Sequence, residues 1–512
     1  MTNDPALEQK LARALALSQN DQQTDQAILL FQEILQQWPT QPFALHGLGM
    51  VYAQQRNFSK AIFYLEQAVK AAPQIAEFHN NLGNAYKAAN QPDDALRHYH
   101  EALRIKPRYP QVHNNLGSLY YRLGDYKQAA DHFEKSLRMD PLAVDTHYNL
   151  ANCYIQQDRL LDAVSHFQEV LKLRPEHLGA LHNLGITLSA LKHFQEAKPL
   201  LEQVIEREPN NVDALFHLGI IYSALAEETK AKSCYERVLI LNPQHANAHH
   251  NLATIYLHLN QPDLALKQYQ LALIYEPNNK TAEHMIAALM GKTLESGAPL
   301  EYTRALFDQY AYNYEQHVKE KLLYQVPFLL RDAVTPFIAP GKELWTVLDL
   351  GCGTGLCAPF FADVAGKLIG VDISPNMIDV ARQRGGYYKL FVMDALTFLK
   401  GHEAEFELII SADVFVYFGE LDNIFKACSK ALKPKGLFCF SIEKLTAEEV
   451  GKDLTHPQFQ LRKTGRYAHH PDYIHQLAMQ HHFTIGSEKQ AVLRHQEEGP
   501  ISGDIYVLIR AQ

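Results

Sequence analysis

Cysteine is scarce, tryptophan scarcer, and neither sign of charge dominates: 512 residues hold six Cys, two Trp, 48 Lys+Arg and 57 Asp+Glu. No apolar run reaches the ~18 residues that a membrane-spanning helix needs, so no membrane segment is expected. The N-terminus, Met1-Thr2-Asn3-Asp4-Pro5, lacks the basic and apolar regions of a signal peptide, and a cytoplasmic protein is expected. The cysteines (Cys153, Cys234, Cys352, Cys357, Cys428, Cys439) form no CxxC pair and no Cys/His spacing of a zinc site. They read as reduced, mostly buried thiols, with no metal expected. The net charge of −9 is shared evenly, with 26 basic against 31 acidic residues over 1–295 and 22 against 26 over 296–512. Without bulk positive charge, nucleic acid is an unlikely partner. Hydrophobic residues at 47 % and charged residues at 21 % are ordinary for a globular chain, which excludes wholesale disorder.

What the first half does have is a period. Prolines fall at 39, 73, 107, 141, 175, 209, 243 and 277, at one unbroken interval. Alanines keep the same step from Ala27 to Ala265, and a large apolar side chain follows each one helical turn later: Phe31, Leu65, Tyr99, Phe133, Phe167, Leu201, Tyr235, Tyr269. Spacing of i, i+4 puts each pair on one helix face. Leu-Gly or Leu-Ala recurs with the same step from 48/49 to 252/253, a small residue that lets two backbones approach. Each unit is therefore two short helices that bury an apolar stripe only by stacking on their neighbours. The pattern resembles the tetratricopeptide repeat, as eight units over about 6–277 with a terminal capping helix over 278–292, and implies an all-α superhelix.

Asparagine precedes the Leu-Gly/Ala pair in five units: Asn81, Asn115, Asn149, Asn183 and Asn251. A carboxamide donates and accepts, as a peptide unit does, so a ladder of them suits an extended backbone. A similar ladder is known in the repeats of O-linked N-acetylglucosamine transferase. That resemblance implies a protein or peptide partner on the concave repeat surface; the alternative is that the amides only satisfy neighbouring helix groups. The helix histidines His46, His79, His113, His147, His182 and His249 show no metal-ligand spacing and read as packed or solvated.

Near residue 295 the periodicity changes to alternating strand and helix, which separates a repeat domain, 1–295, from a second domain, 296–512. Strands are expected over 345–350, 368–372, 389–393, 407–411 and 436–442, with helices over 356–365, 375–384 and 421–432. This alternation predicts a doubly wound parallel sheet. The order Asp349-x-Gly351-x-Gly353-x-Gly355 after the first strand, with Asp372 closing the second, departs from the GxGxxG of nicotinamide-binding folds. Glycines there let the chain pass close to a ligand, and Asp372 is placed to accept from two ribose hydroxyls.

This order resembles motif I of class I S-adenosylmethionine-dependent methyltransferases, over roughly residues 303–511. The resemblance implies a Rossmann-like α/β domain with a seven-stranded, mostly parallel sheet and S-adenosylmethionine as cofactor. It implies that Asp349 faces the ammonium side, that Asp394 with Ala395 reads adenine, and that Ile373 or Met377 covers the ring. Ser411 ends the fourth strand where this fold places its motif IV. More closely, the segments Phe307-Asp308-x-Tyr310-Ala311-x-x-Tyr314-x-x-His317, Ala412-Asp413-Val414-Phe415-Val416-Tyr417, Phe440-Ser441-Ile442-Glu443 and Gly465-Arg466-Tyr467-Ala468-His469 resemble predicted bacterial methyltransferases that carry tetratricopeptide repeats. Relatives usually have Phe at Tyr314. In that group the aromatic helix covers the cofactor, which makes Tyr310 and Tyr314 a lid; core aromatics at i, i+4 are the other reading.

Methyl transfer is an in-line displacement with a neutral leaving group, so alignment and exclusion of water are the main requirements. For an amine or hydroxyl acceptor, a base would add ~10²–10⁴-fold. The candidates are Glu443, to hold an amine, His469, to take a proton, and Tyr467, to wall the pocket. Cys352 and Cys357 beside the turn have no base partner at motif spacing and read as packing residues. Three functions follow: methylation of a protein captured by the repeats, a binding scaffold whose cofactor domain is regulatory or inactive, or small-molecule methylation.

Overall fold

The computed structural model describes residues 5–20, 23–294, 297–311, 324–338, 344–445, 449, 458–496 and 499–512. The chain forms two compact units, residues 1–221 and 222–512. The division falls inside the first helix of the seventh repeat, Val212–Ala224.

The first unit is built from helix pairs such as Ala76–Ala88 with Pro92–Ile105 and Pro110–Arg122 with Tyr126–Met139. The periodic alanines (Ala95, Ala129, Ala163) and their i+4 partners (Tyr99, Phe133, Phe167) are fully or almost fully buried. The small residue of each Leu-Gly pair has a steric cause: a Cβ on Gly117 would lie 2.7 Å from the Phe133 ring. In repeats two to eight the first helix turns into the second through one residue with left-handed φ. These residues are Arg56, Asn90, Gly124, Asp158, Lys192, Ala226 and Asn260, again at the repeat interval, and only one is glycine.

Histidines are paired across three of the helix hairpins. Nδ1 of His79 lies 3.2 Å from Nδ1 of His98, that of His113 3.0 Å from His132, and that of His147 2.9 Å from His166. His79 Nε2 is 3.1 Å from the Pro73 carbonyl and His147 Nε2 3.0 Å from that of Pro141. A carbonyl only accepts, so Nε2 carries the proton and the facing Nδ1 accepts from its partner imidazole.

The second unit holds the last repeats, the terminal helix Lys280–Leu289 and a seven-stranded sheet. The strands are β1 (Trp345–Leu350), β2 (Ala365–Asp372), β3 (Lys389–Val392), β4 (Phe406–Ser411), β5 (Leu432–Glu443), β8 (Phe483–Gln496) and β9 (Gly499–Arg510). A separate hairpin pairs β6 (Phe459–Leu461) with β7 (Tyr467–His469). The sheet order is β3-β2-β1-β4-β5-β9-β8, parallel from β3 through β5, with β9 antiparallel to β5 and to β8. Its two faces carry separate cores. Phe415, Phe425, Phe438 and Phe440 pack on one, joined by Ala287 and Ala288 of the terminal helix; Val334, Phe361 and Leu408 pack on the other.

The helix expected over 356–365 is one turn, Ala358–Phe361. The reason is pairing: β2 begins at Ala365, opposite Trp345, earlier than its apolar run suggests. The glycine turn and the early strand leave no length for more. The terminal helix is likewise shorter than expected, Lys280–Leu289.

Candidate functional site

The strand order reverses between β1 and β4, and loops leaving adjacent strands in opposite directions open a crevice at their carboxyl ends. A cavity of about 930 Å³ lies there, lined by Gly351 and Gly353 after β1, Asp372 and Ile373 after β2, Met393–Leu396 after β3 and Ala412–Val414 after β4. Helix Leu300–Tyr310 contributes Leu306 and Phe307 to the wall, and the terminal helix contributes Lys280, Glu283 and His284. That volume is at the top of the ~300–1,000 Å³ range of small-molecule sites.

The turn needs glycine for two different reasons. Gly351 has φ 72°, and a Cβ there would meet Val414 at 2.3 Å, so backbone and side chain are in direct contact. Gly353 has φ 53° and nothing within 4 Å of a Cβ position, so its Cα borders open space. Gly355, φ 83°, packs against Tyr387 and Arg384 and does not line the cavity.

Asp372 accepts from Gly353 N at 2.9 Å and Ser374 N at 2.8 Å, which fixes its carboxylate in the wall of the cavity. Burial pushes its pKa up to about 6; the two backbone donors lower it and the charge of Asp308 raises it. Ser374 is in turn the helix cap, accepting from Met377 N and donating to Asp308. Met377 and Ile373 line the cavity beside it. Asp394 caps its helix through Thr397 N at 3.0 Å and lines the cavity with Ala395. Asp349 lies behind the turn, fully buried: Oδ2 accepts from the Tyr387 hydroxyl and Oδ1 has no partner among the described residues. Burial pushes its pKa to about 7; the Tyr387 bond pulls down and Asp372 pushes up. Ser411 is not among the lining residues and ties β4 to β1 by donating to Leu350 O. The side chain of Tyr310 and all of Tyr314 lie outside the described residues.

The three residues expected to act on the acceptor are placed elsewhere. Glu443 is buried away from the cavity surface, with Oε1 bonded to Arg494 and Oε2 accepting from Arg462 at 2.7 Å. Burial raises its pKa, but Arg494, Arg466 and Arg462 together hold it below the usual range, so it carries a clamped charge and has no room for a substrate amine. His469 is fully buried with Nε2 3.0 Å from Gly419 O, and burial holds its pKa near 4. Tyr467 is buried and donates to Leu294 O at 2.8 Å. Tyr467 and His469 are packed in the core, and Glu443 sits in a buried ion-pair cluster. The thiols of Cys352 and Cys357 are buried and pushed well above their ordinary pKa by burial, which suits packing and not attack.

What sequence reasoning missed is charge at the cavity wall. Asp413 has φ 57°, takes Arg494 Nη1 at 2.6 Å, and is held by Ser441 Oγ through its own N–H at 2.9 Å. Arg494 comes from β8, and Arg466, on the turn before β7, also lines the cavity. Arg466 stands inside a segment quoted for its resemblance, but nothing local marks it; Arg494 is brought in only by the long hairpin β8–β9.

Most of the asparagine ladder bonds within the protein. Asn115 Nδ2 donates to Asn80 Oδ1 at 2.9 Å, Asn183 Nδ2 to Asn152 Oδ1 at 2.8 Å and Asn251 Nδ2 to Tyr235 Oη at 3.3 Å. Asn81 Nδ2 is 2.8 Å from His46 Nε2. Asn149 makes no side-chain hydrogen bond among the described residues and is half-buried.

A methyltransferase-domain family matches residues 347–436, and tetratricopeptide-repeat families match 16–84, 74–141, 114–177, 188–240 and 234–267. The chain is 26 % identical over 137 residues to the ubiquinone biosynthesis O-methyltransferase of Chelativorans sp. (strain BNC1), covering 26 % of this chain and 54 % of that one. It is 26 % identical over 147 residues to the enzyme of that name from Thiobacillus denitrificans (28 % and 62 % covered). With putative methyltransferase YqeM of Bacillus subtilis it shares 27 % over 132 residues (24 % and 52 % covered). The chain thus spans 52–62 % of the length of these relatives. Among solved structures it is similar to YrrB, a repeat protein described as having an unusual peptide-binding site, at 22 % identity and TM-score 0.34, covering 36 % of this chain and 96 % of that one. Among the described residues no helix is long and apolar enough to cross a membrane. The chain therefore joins tetratricopeptide repeats to a methyltransferase domain.

Proposed function

We propose that the chain is an S-adenosylmethionine-dependent methyltransferase. The observation that carries this reading is the meeting, in one cavity, of the glycine turn with the carboxylates of Asp372 and Asp394. The residues suit the cofactor. Gly353 borders open space, Asp349 behind the turn keeps a buried oxygen without a partner among the described residues, and Ile373 and Met377 offer apolar faces for a ring. Asp372 would accept from ribose hydroxyls and Asp394 from the exocyclic amine. When bound, S-adenosylmethionine supplies an electrophilic methyl group on a sulfonium. The protein's part is to align the acceptor with that carbon and to exclude water, tasks that fall to Leu306, Phe307, Val414 and Tyr417 in the wall.

The acceptor under this proposal is a protein segment recruited by the repeats, with Asn81, Asn115, Asn149, Asn183 and Asn251 as contact positions. A second reading, a small-molecule acceptor, is favoured by relatives named for ubiquinone biosynthesis. Calorimetric titration of the full chain with S-adenosylmethionine tests the core of the proposal: saturable binding, lost in Asp372→Ala, is expected. Absence of binding makes the chain a scaffold. Radiolabelled methyl transfer to proteins captured from lysate then separates the acceptors, since labelled bands that disappear in Asn115→Ala/Asn149→Ala/Asn183→Ala favour the first.

A further inference from the structure

Arginine in a protein interior normally uses its planar fork on a carboxylate or phosphate, and a buried donor left without an acceptor forfeits its hydration for nothing in return. Arg494 obeys this rule through Asp413 and Glu443. Arg462 obeys it too, reaching Glu443 at 2.7 Å and gripping both oxygens of Glu449. Arg466 does not. Its closest carboxylate oxygen, Glu443 Oε1, is 3.8 Å away and already taken by Arg494. Its Nη1 is sealed from water with no hydrogen-bond partner among the described residues, and so is Nε of Arg494. Both arginines line the cavity that the cofactor reading uses, and the Arg466 guanidinium stands 5.6 Å from the centre of the Tyr417 ring.

The arrangement is built, not incidental. Gly465 has φ 77°, and a Cβ there would strike the Tyr302 hydroxyl at 2.8 Å. The Gly465 carbonyl accepts from His284 Nε2 of the terminal helix at 3.0 Å. The turn that presents Arg466 is thus anchored from the repeat side of this unit, while Glu443 restrains the guanidinium from behind without satisfying it. The charge of Asp413, which also lines the cavity, is met by its bond to Arg494.

We infer that the methyl acceptor carries a carboxylate, and that Arg466, with Arg494 beside it, is the group that binds it. This rests on the methyltransferase reading and names the substrate class of the same site. The anion pairs with Arg466 where its side chain, 24 % exposed, borders the cavity, and fixes the acceptor at one end while its nucleophilic atom faces the methyl group. Such a carboxylate belongs either to a small acid or to the C-terminus of a peptide.

The test uses the full chain. S-Adenosylmethionine is titrated first, and failure to bind it defeats the cofactor reading, not this one alone. With S-adenosylhomocysteine at saturation, benzoate and succinate are compared with benzamide and succinamide, and trialanine with a free C-terminus with its C-terminal amide. At least one carboxylate is expected to bind ten times more tightly than its amide, and the arm that does so tells small acid from peptide. In Arg466→Gln that preference is expected to vanish, and in Arg466→Lys to fall only partly. Equal affinity of every acid and its amide, or an unchanged preference in a folded Arg466→Gln chain, overturns the inference. The acid-to-amide comparison in the unmodified protein needs no variant, so misfolding cannot shelter it.

Discussion

The hydroxyl of Tyr387 donates to Asp349 Oδ2 at 2.7 Å, leaving the other carboxylate oxygen buried and bare behind the glycine turn. A carboxyl raised by burial from 3.8 to about 7 holds its proton more tightly in the folded state than in the unfolded one. Stability from this group is therefore full below pH ~4 and lost as pH climbs toward 7. Asp349→Asn is expected to raise the melting temperature of the ligand-free chain by several degrees at pH 8, and by less than half as much at pH 5. The same variant is expected to weaken S-adenosylmethionine binding at least tenfold, read by calorimetry, because an amide does not attract the cation. A variant that melts like the parent at pH 8 refutes the buried charge.

Gly353 is strained for any other residue, and the space beside it belongs to the cavity. Gly353→Ala brings a left-handed alanine, costing ~1–2 kcal/mol, and a methyl group into ligand space. We expect a modest loss of stability in denaturant and a much larger loss of S-adenosylmethionine affinity, tenfold or more. Unchanged affinity removes the turn from the binding site.

The histidine pairs of the first unit respond to acid in the opposite sense. Burial, then the facing imidazole, lowers His98 and His132 to about 4 from 6.5. Their folded pKa lies below the unfolded one, so their contribution is present above pH ~6.5 and disappears as pH falls toward 4. The eighth repeat places Gln268 where these partners stand, 2.6 Å from His249 Nδ1. The double variant His98→Gln/His132→Gln should therefore flatten the decline in repeat stability between pH 6.5 and 4.5, followed by helical circular dichroism.

Lys192 has φ 62° at the hairpin turn where one repeat, at Gly124, uses glycine. Relief of left-handed strain is partly offset by the freer unfolded chain that glycine brings. Lys192→Gly is expected to stabilise by up to ~1 kcal/mol in urea unfolding; destabilisation means that the Lys192 side chain makes contacts worth more than the strain.

His284, itself part of the cavity wall, positions the turn of Arg466 through the Gly465 carbonyl. His284→Phe is expected to raise KM for the acceptor while kcat at saturation and S-adenosylmethionine affinity change less than twofold. Equal losses in kcat and KM indicate a disturbed fold instead.

Sequence alone determined the repeat, its length and the need for a small residue after each Leu, because stacking identical units imposes one steric requirement anew in every unit. It also determined the order of strand, glycine turn and acid from Asp349 to Asp372, since a parallel strand and the turn that leaves it are local. Tertiary structure decided the rest. Glu443, Tyr467 and His469 read as cavity residues by resemblance, yet lie inside the core, because the direction of a strand side chain depends on register and on which sheet face its neighbours cover. The charged wall joins Asp413, Arg466 and Arg494, with Glu443 behind them, residues far apart along the chain, and only the pairing of β9 with β5 and of β8 with β9 brings Arg494 back to Asp413. Ion pairing of this kind leaves no periodic trace in a sequence, because it depends on distance in space and not on spacing along the chain.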